Sequence, residues 1–305
     1  MNRNFTASGL RRFLNQKFRK VILTGILGIL ALIFLLPLAV TITNSFMGEQ
    51  EIDSNYGMVA SSSGTDVDVD SQGKLANLKF IPDQVTIKQY YTVLVKRIQF
   101  LLMFWNSVKL VVPIIAGQIM VASMAAYAFA KLNFTGREKL FFVYIIIMLM
   151  PFQVTLVPNY IVADRLGLIG SYLSIIFPGI FSTFGVFLLR QFMHYIPDAY
   201  SESAKVDGAS HFSIFTRIIL PMSKTGIAAL AILVFIDNWN MVEQPLIFLR
   251  DANKQPLSIF LSNVNEGERG IAFAASVTYM APMLLVFLYG ENYLVEGIQM
   301  SGLKG

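Results

Sequence analysis

The chain has 305 residues, 55% of them hydrophobic and only 14% charged, with a formal net charge of +5 and a mean hydropathy of +0.58. Soluble domains carry about 25% charged residues, so the composition excludes an ordinary soluble domain and points to repeated lipid-facing helices. Cysteine is absent, which removes a disulfide frame, a thiolate metal site and a catalytic thiol.

The first twenty residues hold Arg3, Arg11, Arg12, Lys17, Arg19 and Lys20 and no acid. VILTGILGILALIFLLPLAVTIT, from Val21 to Thr43, then runs without a charge. A helix needs about 20 apolar residues to cross roughly 30 Å of hydrocarbon, so this stretch reads as a first span. No A-x-A-like cleavage site follows it, which makes it a retained span rather than a leader. Residues 44–103 read as a long polar loop. At its centre SSSGTDVDVDSQG (Ser61 to Gly73) has the Ser, Gly and Asp density of a flexible segment. Asp66, Asp68 and Asp70 resemble the start of a calcium loop. The pattern fails at Ser71, where glycine is required, and at Asn77, where glutamate is required. A solvated acidic loop is the expectation, with no metal.

Five more apolar runs follow, at about Phe104 to Ala130, Leu140 to Val162, Tyr172 to Phe192, Gly226 to Phe248 and Ile271 to Leu294. Their apolar character is continuous rather than alternating, which excludes a closed β-barrel. The expected fold class is an all-α polytopic membrane protein of six transmembrane helices, with residues 104–305 forming a five-helix core. Orientation follows from the basic residues near the span ends. The N-terminal cluster, Lys131, Arg137 and Lys139 after the second span, and Arg190, Lys205, Arg217 and Lys224 after the fourth all fall on one side. That side is expected to be cytoplasmic, with both termini on it. Pro37, Pro113, Pro151, Pro158, Pro178, Pro245 and Pro282 lie within the spans. Each removes a backbone donor and can kink a helix; prolines are also simply common in membrane helices.

Several chemistries find no support. No GxxxxGK[ST] loop is present, so the chain is expected to bind no nucleotide and to be no enzyme. His194 and His211 lack metal-ligand spacing. No nucleic-acid partner is expected. Ionisable groups at membrane depth are functional candidates, and FIDNWNMVEQPL (Phe235 to Leu246) supplies them. Counted from Gly226 at about 1.5 Å per residue, Asp237 lies about 16 Å along its helix. It either bonds a neighbouring helix or lines a wet cavity. Trp239 and Asn240 follow it in the chain, and Glu243 nears the outer end of the span.

Between the fourth and fifth spans lies ESAKVDGASHFSIFTRIILP, from Glu202 to Pro221. Asp198 or a neighbour can cap a first short helix, and Asp207-Gly208 ends it because glycine tolerates the left-handed conformation. Ser210 can cap a second helix that stops before Pro221. In that second helix Phe212, Phe215 and Ile219 fall near one face. Ala204, Gly208 and Ala209 are small enough for another surface to approach the backbone.

This stretch resembles the EAA loop of ABC importer permeases, whose pattern is roughly EAA---DGA-----F--I-LP. Glu202, Ala204, Asp207, Gly208, Ala209, Phe215, Ile218, Leu220 and Pro221 match, and Ser203 stands where the family usually has alanine. Asn106-Ser107, MPFQVTLVPNY (Met150 to Tyr160), FGVFLLRQFM (Phe184 to Met193), Trp239-Asn240 and the ending VEGIQMSGLKG are similar to the carbohydrate, maltose-type permeases with the MetI-like fold. The resemblance implies a multi-pass protein of the bacterial inner membrane that pairs with a second homologous permease. It further implies a cytoplasmic ATPase dimer, which holds the ATP and magnesium, and an extracytoplasmic solute-binding protein that delivers a carbohydrate. Glu202, Ser203, Ala204, Asp207, Gly208, Ala209, Phe215 and Pro221 would then couple to the ATPase, and Asn106, Asp237, Trp239, Asn240 and Glu243 would be the candidate substrate-path residues, with Trp239 able to stack on a sugar face. A non-sugar solute such as glycerol phosphate or a polyamine stays open within the family. An ion-coupled secondary transporter would need inverted repeats or several intramembrane charges, and neither is visible; a membrane scaffold without a pore is a third reading.

Overall fold

The computed structural model describes residues 7–61, 79–263 and 268–302. The acidic segment at Asp66, Asp68 and Asp70, with Ser71 and Asn77, lies outside the described residues, as do Arg3 and the last three residues of the tail. Every regular element among the described residues is helical. The chain divides into two compact units, residues 1–93 with 264–277 and residues 94–263 with 278–305.

The first unit begins with α1 (Ala7–Asn44), a helix that starts well before the apolar run. Among the described residues nothing buries the side chains of its most apolar stretch, as lipid contact requires. Then α2 (Glu49–Ser61) opens with Glu49 and Glu51 in its first turn, where carboxylates favour the positive end of the helix dipole. Glu51 ties the region together. Its carboxylate accepts from the backbone N–H of Asp83 at 2.9 Å and pairs with Lys79 at 3.0 Å. Residues 44–103 are therefore more than a flexible loop, because both flanks of its centre are built. Next comes α3 (Lys88–Tyr91), whose buried Gln89 donates to the carbonyl of Met47.

In the second unit α4 (Ile98–Lys131) is the central element. It packs most extensively on α8 (Thr183–His194), then on α7 (Leu173–Ile180) and α12 (Lys224–Trp239). Small residues permit that approach: a Cβ on Gly117 would sit 2.6 Å from the Ile180 side chain, and one on Gly185 would sit 2.8 Å from Gln118 Nε2. Association of helices in lipid depends on such close packing, since lipid tails remove the hydrophobic drive.

The spans differ from the sequence expectation in continuity. Among the described residues four helices are long and apolar enough to cross a membrane, or up to six if each of two bent pairs counts as one span. The expected third span is α5 (Arg137–Met148) and α6 (Phe152–Arg165), bent by 100°. Pro151 stands at that break as the residue before α6, with an extended ψ of 139°, and a proline also disfavours helical backbone in the residue before it, here Met150. The expected fifth span ends early. After α12, residues 240–242 leave the helix before α13 (Glu243–Phe248), and α12 is bent by 74° against the helical segment 211–222. In contrast Pro37, Pro113 and Pro282 sit inside continuous helices, the last in α14 (Arg269–Gly302).

Candidate functional site

Residues 198–222 form the bent hairpin that the sequence announces. Its first arm, α9 (Ala199–Val206), ends where Gly208 adopts φ +81°. The N–H of Ala209 reaches the carbonyl of Ala204 at 2.9 Å and the N–H of Gly208 reaches that of Lys205 at 3.0 Å. This is the paired closure of a Schellman turn, which requires a left-handed residue at Gly208. Ser210 then caps the second arm, its hydroxyl accepting from the N–H of Ser213 at 3.3 Å. That arm is α10 (His211–Ile214), a π turn over Phe215–Ile219 and α11 (Leu220–Met222). The helix thus runs through Pro221 rather than stopping before it. Proline offers no N–H to the carbonyl four residues back and crowds it, and the wider π turn relieves both conflicts.

The two faces of the hairpin are chemically distinct. Inward, Ser201, Ala204, Ile214, Phe215 and Ile219 are buried, and the Phe215 ring lies 5.2 Å from that of Tyr127 on α4. Outward are Glu202, Ser203, Asp207, Gly208, His211, Arg217 and Pro221, together with two apolar side chains, Val206 at 88% and Phe212 at 70% exposure. Among the described residues the carboxylates of Glu202 and Asp207 have no partner. Two expectations need correcting. Ala204 and Phe215 face the body of the unit and anchor the hairpin, so neither offers itself to another chain, while Ala209 is half-buried. Phe212 does not share the buried face of Phe215: its ring stays exposed at the edge of that face, 6.5 Å from the Phe215 ring, and Ile214 takes the inward position.

Asp198 does not cap α9. Its carboxylate accepts from Lys131 Nζ at 2.6 Å, and Lys131 also donates to the carbonyl of Ile196. That hydrogen bond, and then the charge of Lys131, holds the Asp198 carboxyl below the usual carboxylate range. Nearby, Arg190 lies 3.8 Å over the Phe141 ring and donates to the carbonyl of Phe129 and to Glu138, both at 3.4 Å.

The candidate substrate-path residues divide sharply. Asn106 is buried and fully engaged: its amide donates to the carbonyls of Asn253 at 2.7 Å and Gln255 at 3.1 Å, and its oxygen accepts from Tyr172 at 2.8 Å. Beside it, Ser107 accepts from the N–H of Leu257 at 2.8 Å. Both pin loop 249–263 to α4. Trp239 is 2% exposed, with Phe235 stacked at 5.2 Å, Tyr279 stacked at 6.3 Å and Phe104 edge-on at 5.7 Å. Its indole N–H donates to the carbonyl of Tyr279, so no ring face is left for a sugar. Asn240 donates to the carbonyl of Ile236 and accepts from Tyr279 at 2.6 Å. Asn106 and Trp239 are therefore packing and hydrogen-bonding centres rather than substrate contacts, whereas Asn240, though bonded twice, stays exposed. Asp237 and Glu243 remain exposed, and among the described residues neither carboxylate has a partner.

The hairpin stands within a larger sequence pattern. The family described as "Binding-protein-dependent transport system inner membrane component" matches residues 118–294, more than half of the chain and the whole of the hairpin. The chain belongs to this family. It is a permease component of a transport system and not an enzyme, and its apolar helices make it a multi-pass membrane protein. Similar relatives include the "Arabinooligosaccharides transport system permease protein AraQ" of Halalkalibacterium halodurans, 29% identical over 75% of this chain and 83% of that protein. The "Osmoprotective compounds uptake permease protein GgtD" of Synechocystis sp. is 36% identical over 66% of this chain and 70% of its own length. In fold the permease resembles a solved bacterial ABC transporter "involved in the import of the acidic polysaccharide alginate", with a TM-score of 0.75 and 21% identity over 92% of this chain and 97% of that one. As a binding-protein-dependent permease it works with an ATPase and a solute-binding protein.

The sequence reading passed over Lys131 as one more basic residue at a span end, and over Tyr172 and Tyr279 entirely. A lysine that pairs 67 residues away leaves no local signal, and a tyrosine hydroxyl that closes a buried network looks like any other membrane tyrosine.

Proposed function

We propose that this permease carries a sugar or oligosaccharide across the bacterial inner membrane, paired with a second homologous permease, and that the outward face of hairpin 198–222 docks on a cytoplasmic ATPase dimer. ATP and its magnesium belong to that dimer; the absence of a GxxxxGK[ST] loop in this chain supports the division of labour. The observation that carries the reading is the asymmetry of the hairpin. One face is fixed to α4 by Phe215, while the other holds Glu202 and Asp207, without partners among the described residues, beside the exposed Val206 and Phe212. A surface mixing partnerless carboxylates and exposed apolar side chains fits a protein partner better than solvent. Docking would take Glu202 and Asp207 against basic groups, with Val206 and Phe212 entering apolar recesses. On this reading the basic N-terminal segment and the hairpin share the cytoplasmic side, and loop 249–263 lies outside.

Carbohydrate is favoured because AraQ and the alginate system are named for it. A second reading, a small osmoprotective solute, is favoured by GgtD. Purification from native membranes, identification of co-purifying subunits and screening of solutes for stimulated ATP hydrolysis separate the two. Uptake into vesicles should stop without ATP and survive collapse of ion gradients; uptake that follows the ion gradient instead would overturn the importer reading.

A further inference from the structure

The polar joint between the hairpin and α4 is built around one ammonium. Lys131 is the last residue of α4, and its side chain is only 3% exposed. Its two acceptors, the Ile196 carbonyl and the Asp198 carboxylate, flank Pro197 immediately before α9. The Asp198 side chain stays 74% exposed, so the pair is covered on the lysine side only, and moving either acceptor away would leave a largely covered charge with less compensation. The joint therefore resists opening as well as sliding. At the other end of the same helix Asn106 and Ser107 hold loop 249–263. From Asn106 to Lys131 the helix rises about 37 Å at about 1.5 Å per residue. One continuous element thus carries the hairpin at one end and the loop at the other. Arg190 acts elsewhere, tying α8 and Glu138 to the carbonyl of Phe129.

We propose that Lys131 is a positioning residue for transport, locking the hairpin and α4 into one rigid body so that a displacement of the hairpin moves α4 and the loop at its far end. The proposal rests on the reading that an ATPase engages the hairpin. It assigns to Lys131 a role in transmission and none in docking, because its ammonium is enclosed by its own chain.

The test uses the complete transporter purified in lipid with its ATPase, with cysteines absent from the partner chains. This chain has none of its own, so spin labels can be placed at Tyr200 on α9 and at Met124 on α4, both exposed. Wild-type protein should give one narrow inter-label distance, identical in the nucleotide-free and ATP-vanadate-trapped states. Lys131→Met, which keeps length and loses charge, should broaden that distance and make it differ between the states, and Asp198→Asn should do so more weakly. Lys131→Arg and the exchange Lys131→Asp with Asp198→Lys should restore the single distance. A Lys131→Met distance indistinguishable from wild type in both states would overturn the proposal, as would a wild-type distance that changes with nucleotide. Absence of any ATPase from the wild-type complex would instead overturn the functional reading, and it is seen before a variant is made.

Discussion

Two regions of the second unit interrupt its apolar character, the hairpin at 198–222 and the cluster at 235–243, and they differ in what surrounds their polar groups. The cluster buries Trp239 against Phe235 and Tyr279 and bonds its indole, and bonds Asn240 twice, while Asp237 and Glu243 stay exposed without partners among the described residues. The hairpin satisfies its backbone through the Schellman turn and the Ser210 cap, yet leaves Glu202 and Asp207 without partners. In a helix-rich membrane protein, polar residues alone do not mark function. Those left exposed and without a partner among the described residues, Glu202 and Asp207 in the hairpin and Asp237 and Glu243 in the cluster, are the ones open to another molecule.

That contrast can be broken most forcefully at Gly208. Its φ of +81° costs a non-glycine residue about 1–2 kcal/mol, and open space surrounds it. Gly208→Asp should therefore leave the protein folded in the membrane yet abolish ATP-driven uptake, with ATPase co-purification reporting the loss of docking. Normal uptake by this variant would remove the hairpin from the mechanism. Trp239→Ala should do the reverse, lowering thermal stability in detergent by about 3–5 kcal/mol with any transport defect proportional to the loss of folded protein. Asn106→Ala orphans two loop carbonyls and the Tyr172 hydroxyl. It should cost about 1–3 kcal/mol and speed hydrogen exchange across residues 249–263; unchanged exchange there would show that Ser107 suffices.

A smaller effect sharpens the hairpin's two faces. Phe212→Ala should change stability by no more than about 0.5 kcal/mol, as surface changes do, while weakening ATPase association. Phe215→Ala should destabilise the chain. The smallest expected effect concerns pH. Asp198 has a lowered folded pKa, so its contribution is complete above the ordinary aspartate value of about 3.9 and fades only as pH falls through the lower folded value. The Tyr200–Met124 label distance should therefore stay constant from neutral pH to about pH 5, well above that value, and change only in stronger acid.

Much was legible in residue order alone. Long uncharged runs required lipid-crossing helices, because buried backbone without water must bond to itself. Asp207-Gly208 and Ser210 required a bend between two short helices, because a left-handed terminus and a side-chain cap are properties of two or three neighbouring residues. What only the tertiary structure decided depended on groups distant in sequence: which side of the hairpin faces inward, where Pro151 turns the expected third span through 100°, and that Asn106 grips a loop about 150 residues on. Local chemistry fixes backbone conformation over a few residues, but whether an aspartate, asparagine or tryptophan has a free valence depends on what the fold places against it. Lys131 illustrates the limit, being a plain helix-end cation in the sequence and an enclosed joint once Ile196 and Asp198 arrive beside it.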